Sequence, residues 1–196
     1  MIYDLPTTLE VCGVSYDIRS DYRAVLDICT ALSDVELSDQ DRGLIILDIF
    51  YPAFTGCVMN RDGEEETITM PPEHYEEAIK MCFWFIACGD KGDNRKSPKL
   101  MDWEKDFKYI VAPVNRVMGQ EIRSIPYLHW WTFISAYYEI GGDCTFAQII
   151  RIRDRLARGK KLDKEDREWY RKNRELVDIK TAFSEGDKEL LKAWGI

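Results

Sequence analysis

Apolar residues recur at helical spacing through most of the chain, and one stretch stands out by being apolar nearly all round. From Pro126 to Ile140 the polar positions His129, Thr132, Ser135 and Glu139 share an arc of roughly 120° at about 100° per residue. Tyr127, Leu128, Trp130, Trp131, Phe133, Ile134, Tyr137, Tyr138 and Ile140 cover the remainder. A helix apolar over most of its circumference is a buried one. Pro126 suits a first helical turn, and Gly141-Gly142 supply a stop. Such a helix rises about 22 Å, short of the roughly 30 Å of a bilayer core. It is therefore expected as a central helix around which the chain wraps.

Shorter patterned runs flank it. Leu9 and Val11, then Val14, Tyr16 and Ile18, alternate with polar residues around Cys12-Gly13, an X-Gly pair that signals a two-residue hairpin turn. Ser20 is placed to cap a helix to about Ser33, with Tyr22, Val25, Leu26, Cys29 and Leu32 on one face. Ser38-x-x-Asp41 opens a second helix, stopped by Pro52, from which Asp48 should point outward. Asp62-Gly63 is compatible with a further hairpin, Thr55–Asn60 against Glu66–Met70. A helix from Pro72 to Cys88 is almost uniformly apolar after Met81, so that half is expected to pack on the central helix. Residues 89–98 have the composition of a linker.

Beyond it, Asp102 caps a helix to Met118 whose face is Trp103, Phe107, Ile110 and Val111, with Pro113 as a kink or junction. Thr145-x-x-Gln148 reads as a capping box for a helix to Arg158. Asp163-x-x-Asp166 restarts a charged helix to about Leu176, and Ser184-x-x-Asp187 starts a short terminal one. The predicted fold is mainly α, a single helical domain around the aromatic helix 126–140 with a small N-terminal β-hairpin. It divides into an N-terminal part (1–90), a C-terminal part (99–180) and a terminal helix (181–196).

Composition adds charge and compartment. A hydrophobic content of 45% excludes global disorder. Asp4 and Pro6 interrupt the N-terminus before a signal peptide could form, and no apolar run is long enough to span a membrane. Six cysteines without a CxxC pair, and only two histidines, point to structural thiols and to no metal or other cofactor. The net charge of −8 is unevenly placed: residues 1–145 carry 13 Lys/Arg against 25 Asp/Glu, and 146–180 carry 12 against 7. An acidic body with a basic arm argues against nucleic acid as the main ligand and favours steering of a protein partner.

Candidate chemistry is sparse. Asp102 and Asp106 lie one helical turn apart, and His129 shares the polar stripe with Glu139, so an acid/base hydrolase is one reading. The bland reading gives Asp102 a cap to make, Asp106 a basic partner and His129 a satisfied place in the core. The aromatic residues Trp103, Trp130, Trp131 and Phe133 are expected as structural core. Trp130 and Trp131, about 100° apart on a helix, are expected in different pockets. Arg151, Arg155 and Arg158 rim the apolar face Phe146, Ile149, Ile150 and Leu156 and are the candidate partner-binding residues.

Five motifs in order now read as a set: Asp-Trp-Glu-Lys-Asp (102–106), Ile-Val-Ala-Pro-Val-Asn (110–115), Arg-Ser-Ile-Pro-Tyr-Leu-His-Trp-Trp-Thr-Phe (123–133), Glu-Ile-Gly-Gly-Asp-Cys-Thr-Phe (139–146) and Arg-Gly-Lys-Lys-Leu (158–162). With Leu-Pro-Thr-Thr-Leu-Glu-Val-x-Gly-Val (5–14), the chain resembles the bacteriophage gene-product-fifteen family of long-tailed phages and prophages. Members are encoded between the major tail protein and the tape-measure protein. The resemblance implies a tail assembly chaperone for the tape-measure protein, working by binding and not as an enzyme, in the host bacterial cytoplasm. The major tail protein and a neighbouring tail chaperone are further implied partners. A structural tail-completion or connector subunit of the virion is the alternative. The resemblance carries no catalytic residues.

Overall fold

A computed structural model describes residues 4–54, 56–59, 65–68, 70–90 and 98–179, with backbone alone at 56–59 and 65–68. The chain is mainly α-helical, with an antiparallel hairpin at its N-terminus. Its described residues divide into two compact units, one drawn from residues up to 90 together with 127–131, the other from 98–126 and 132–179.

The first unit begins with strands β1 (Thr8–Val11) and β2 (Val14–Asp17). Leu9 pairs with Tyr16, and Val11 with Val14. Cys12 and Gly13 both take positive φ, 50° and 78°, as a two-residue turn matching the strand twist requires. Leu9, Val11 and Tyr16 are buried. Helix α1 (Tyr22–Ser33) is capped by Asp21, one residue later than expected, whose carboxylate accepts the Arg23 N–H at 3.0 Å. Helix α2 (Asp39–Phe50) is capped by Ser38 as its capping box requires, and Asp48 points outward. Strands β3 (Gly56–Met59) and β4 (Glu65–Ile68) pair antiparallel, Gly56 opposite Ile68. Helix α3 (Tyr75–Ile86) follows a short 3-10 turn at Pro72–His74, so Pro72 opens that turn and not the helix. The unit's core gathers Val25, Ile28, Leu47, Phe50, Cys82 and Phe85, and the buried Tyr51 hydroxyl donates to the Ala78 carbonyl at 2.9 Å.

The second unit holds α4 (Trp103–Met118), capped by Asp102 and closed by Gly119 at φ 69°. Pro113 is buried within α4 without ending it. Helix α6 (Thr145–Ala157) is capped by Cys144, whose sulfur accepts the Ala147 N–H at 3.4 Å, so the cap falls one residue before Thr145. Helices α7 (Lys164–Lys172) and α8 (Arg174–Val177) follow, α7 capped by Asp163. Here the core gathers Ile110, Val114, Phe133, Phe146, Ile149 and Ile152.

The expected helix 126–140 is shorter: α5 runs Trp130–Tyr138. Residues 127–129 are not helical because this run bonds to residues 20–22. Tyr22 donates its N–H to the Leu128 carbonyl at 2.9 Å, Trp130 donates to Ser20 at 2.8 Å, and the Asp21 carboxylate accepts the Leu128 N–H at 2.8 Å. Trp130 and Trp131 belong to the first unit, whereas Phe133, Ile134 and Ala136 are buried in the second. The aromatic stretch thus supplies two cores. The turn between β3 and β4, the segment 91–97 and the expected terminal helix 181–196 lie outside the described residues.

Candidate functional site

The three arginines singled out from the sequence lie on α6, and the structure gives each an acidic neighbour. Arg151 meets Asp166 at 2.6 Å, Arg158 meets Asp154 at 2.6 Å, and Arg155 reaches Asp163 at 3.4 Å and Asp166 at 3.9 Å. Asp166 is buried at the start of α7, so Arg151 and Arg155 fasten α7 to α6. The carboxyl of Asp163 is held below its usual range, chiefly by the Asp166 N–H it accepts as helix cap, with Arg155 and Arg151 adding to this. Of the expected apolar face, Phe146 and Ile149 are buried. Leu156 is exposed, and Ile152 takes its place inside.

Between the expected arginines stands one that the sequence pattern does not single out. Arg153 is buried and binds the fully buried Asp106 through two bonds, at 2.5 and 3.0 Å. Its remaining N–H groups donate to the carbonyls of Leu100, Leu176 and Val177. A guanidinium is suited to this, because its planar fork offers five donors at fixed angles. Lys105 bonds to the Asp178 carbonyl, and the Tyr170 hydroxyl donates to the Asp178 carboxylate at 2.7 Å. Asp106 thus ties α4 to α6 through Arg153, which also holds α8, and Lys105 ties α4 to Asp178 beyond it. Asp102 spends one carboxylate oxygen on the Lys105 N–H as helix cap. The two carboxylates considered for acid/base work are both held in structural contacts. Beside them an open groove of about 1150 Å³ is lined by Lys105, Arg171, Lys172 and Arg174 together with Asp102, Glu175 and Asp178. Its charges are mixed.

Trp130 and Trp131 act as a pair. Their indole N–H groups donate at 2.9 Å to the consecutive carbonyls of Ile86 and Phe85 at the end of α3, where the Phe85 carbonyl also accepts the Cys88 N–H at 3.0 Å. Expected in different pockets, the two rings differ in burial, yet as adjacent residues at the start of one helix they reach adjacent carbonyls at the end of another. Trp130 is buried and Trp131 partly so, its ring stacked on Phe85 at 5.8 Å. His129 orders this junction. Its Nδ1 accepts the Trp131 N–H at 3.0 Å, and its Nε2 lies 3.0 Å from the Pro6 carbonyl. That pattern fits a neutral ring with its proton on Nε2, and burial lowers its pKa. Trp103 and Phe133 meet in the second unit, ring centroids 6.1 Å apart. Burial pushes the Cys29 thiol up to about 11 and raises that of Cys82, as for packing groups. Among the described residues no group of three or more His, Cys, Asp or Glu could hold a metal ion. Among them, too, no helix is long and apolar enough to cross a membrane.

The second half of α3, expected to be buried, is divided. Ala78, Cys82 and Phe85 point inward, but Phe83 and Trp84 stand on the outer face, 44% and 37% exposed. They belong to a part of the chain that is strongly acidic, with 5 Lys/Arg against 18 Asp/Glu over residues 1–90. The described surface thus carries an apolar pair on an acidic unit, and a second unit in which Arg151, Arg153, Arg155 and Arg158 are each ion-paired.

The family model described as Bacteriophage Gp15 protein matches residues 1–179. The chain belongs to that family, which sets it among bacteriophage structural and assembly proteins. No curated protein and no solved structure matches it.

Proposed function

We propose that the chain is a tail assembly chaperone that binds the tape-measure protein during phage tail morphogenesis. The reading rests on family membership along nearly the whole chain, and within that family on one feature, the exposed Phe83 and Trp84 in a highly charged unit. A tape-measure protein is a long helical chain whose apolar stripes must be kept apart until tube subunits enclose them. Large aromatic rings at a surface are the groups that contribute most to protein–protein contacts. A net charge far from zero keeps such a surface from self-aggregating. The chain works by binding, in the host cytoplasm, with the major tail protein and a neighbouring tail chaperone as further partners. The test is twofold. Tagged chain expressed with the tape-measure protein should co-purify with it, and mass spectrometry of purified virions should find the chain absent. Its presence at fixed stoichiometry in virions would replace this reading with a tail-completion or connector subunit.

A further inference from the structure

On α3 Phe83 and Trp84 form an adjacent pair of exposed aromatic rings, and their placement is built rather than accidental. Trp84 is held edge-on against Trp131, ring centroids 5.9 Å apart, and Trp131 in turn stacks on Phe85. Gly89 turns the chain after the helix at φ 84°, and a Cβ there would stand 3.3 Å from the Trp84 ring. The glycine both supplies the left-handed turn and leaves the indole its space. One face of Trp84 is thus fixed from beneath while Phe83 beside it projects outward. Rigid, partly exposed rings of this kind lose little freedom on binding.

The charges around the patch say what it would accept. On the same helix stand Glu76 and Glu77, with Glu73 in the turn before it and Asp90 in the turn after. The nearby Lys80 is taken by Glu76 at 2.5 Å. Residues 1–90 carry a net charge of −13. By contrast Arg151, Arg155 and Arg158 are all paired within their own unit.

We propose that Phe83 and Trp84 form the docking surface for an amphipathic helix of the client, one with an apolar stripe flanked by Lys or Arg. This rests on the chaperone reading and names the surface through which it acts. An amphipathic helix fits because its stripe presents anchors at i and i+3 or i+4, a width suited to two adjacent rings, while its flanks place cations over the carboxylates. The acidic surround adds rate and selectivity, and the rings hold the complex.

The experiment measures binding of overlapping synthetic peptides that tile the tape-measure protein of the same phage to the full chain, by fluorescence anisotropy. The chain is used as wild type, as Phe83→Ser and as Arg158→Gln. The captured peptides should be basic and amphipathic, and should bind more weakly as salt rises. Phe83→Ser should weaken them by about tenfold or more, the range of an interface hot spot. Arg158→Gln should leave them unchanged. Amide exchange of the wild type with and without peptide should show protection over 80–90, a readout independent of how the variant folds. Peptides that bind wild type and Phe83→Ser equally, with no protection at 80–90, would overturn the surface while leaving the chaperone reading standing. Failure of every peptide to bind wild type would overturn the chaperone reading itself. Ultracentrifugation showing that wild type self-associates and Phe83→Ser does not, with peptide binding unaffected, would assign the patch to a second copy and also sink the proposal.

Discussion

His129 carries one consequence that a titration can read. Its ring stays neutral in the fold because Nδ1 accepts the Trp131 N–H and burial lowers its pKa, while the unfolded chain takes up a proton near pH 6.5. Above that value both states are neutral and the contribution is complete. As pH falls below it toward the lower folded value, the unfolded state alone gains the proton and stability is lost. The melting temperature should therefore drop between pH 7 and 5.5 by more in wild type than in His129→Asn, which keeps an acceptor near Nδ1 and cannot titrate. Parallel pH profiles for the two chains would show that His129 is not the group responsible. Asp106 and Arg153 give a second residue-scale expectation. Asp106→Asn removes the charge that compensates a buried guanidinium, and breaking such a pair typically costs about 3–5 kcal/mol. A double replacement, Asp106→Leu with Arg153→Met, should recover only part of this, since the carbonyls of Leu100, Leu176 and Val177 would still lack their donor. Urea denaturation of the three chains decides it. A fully recovered double mutant would mean that those three bonds contribute nothing.

At the scale of elements, the Trp-Trp pair is a cap made by one helix start for another helix's end. Trp130→Phe keeps most of the ring and deletes the N–H, leaving the Ile86 carbonyl only a weak contact from the Cys88 thiol, a loss of about 1–3 kcal/mol where the group is buried; after Trp131→Phe the Phe85 carbonyl still accepts the Cys88 N–H. Trp130→Phe should be the more harmful, because water can replace the donor at the less buried Trp131. Equal melting temperatures for wild type and Trp130→Phe would remove the cap from the account. The arm α6–α7 behaves differently from the picture of a free basic face. Arg158→Glu disturbs only an exposed pair four residues apart, worth about 0.3–0.5 kcal/mol. Arg151→Glu sets a carboxylate beside the buried Asp166 and should destabilise the arm distinctly more. These contrasts mark where sequence reading works. Helix caps at Ser38, Asp102 and Asp163, and the Cys12-Gly13 turn, were legible because they depend on neighbours within four residues. The extended run 127–129 was not, since its bonds go to residues 20–22, about 107 positions away. Arg153 was hidden for the same reason: among alternating arginines, only the fold shows which one faces Asp106.

At the scale of the whole molecule, charge separates what periodicity treats alike. Residues 1–90 hold 18 acids and only 5 bases, so that part is held together against its own repulsion. Its described ion pairs, Arg23 with Asp21, Arg42 with Asp39 and Lys80 with Glu76, lie between residues two to four positions apart. Residues 146–178 hold mixed charges joined across elements, Arg151 to Asp166 and Arg155 to Asp163, with Arg174 to Asp178 beyond them. Salt acts on these two arrangements with opposite sign. Raising ionic strength from 0.01 M to 1 M shortens the screening length from about 30 Å to about 3 Å. Repulsion spread over an acidic surface is then lost, which stabilises α1 to α3. Attraction between exposed partners is weakened, which loosens α6 to α8. Hydrogen exchange read by mass spectrometry should therefore show slower exchange over 22–86 and faster exchange over 145–178 at 1 M sodium chloride than at 10 mM. The buried pair of Arg153 and Asp106 is shielded from solvent, so the amides near Asp106 should respond least within the second unit. Both regions moving in the same direction would mean that general salt effects on apolar burial outweigh the charge pattern, and that the unequal distribution of acids and bases has no separate influence on stability.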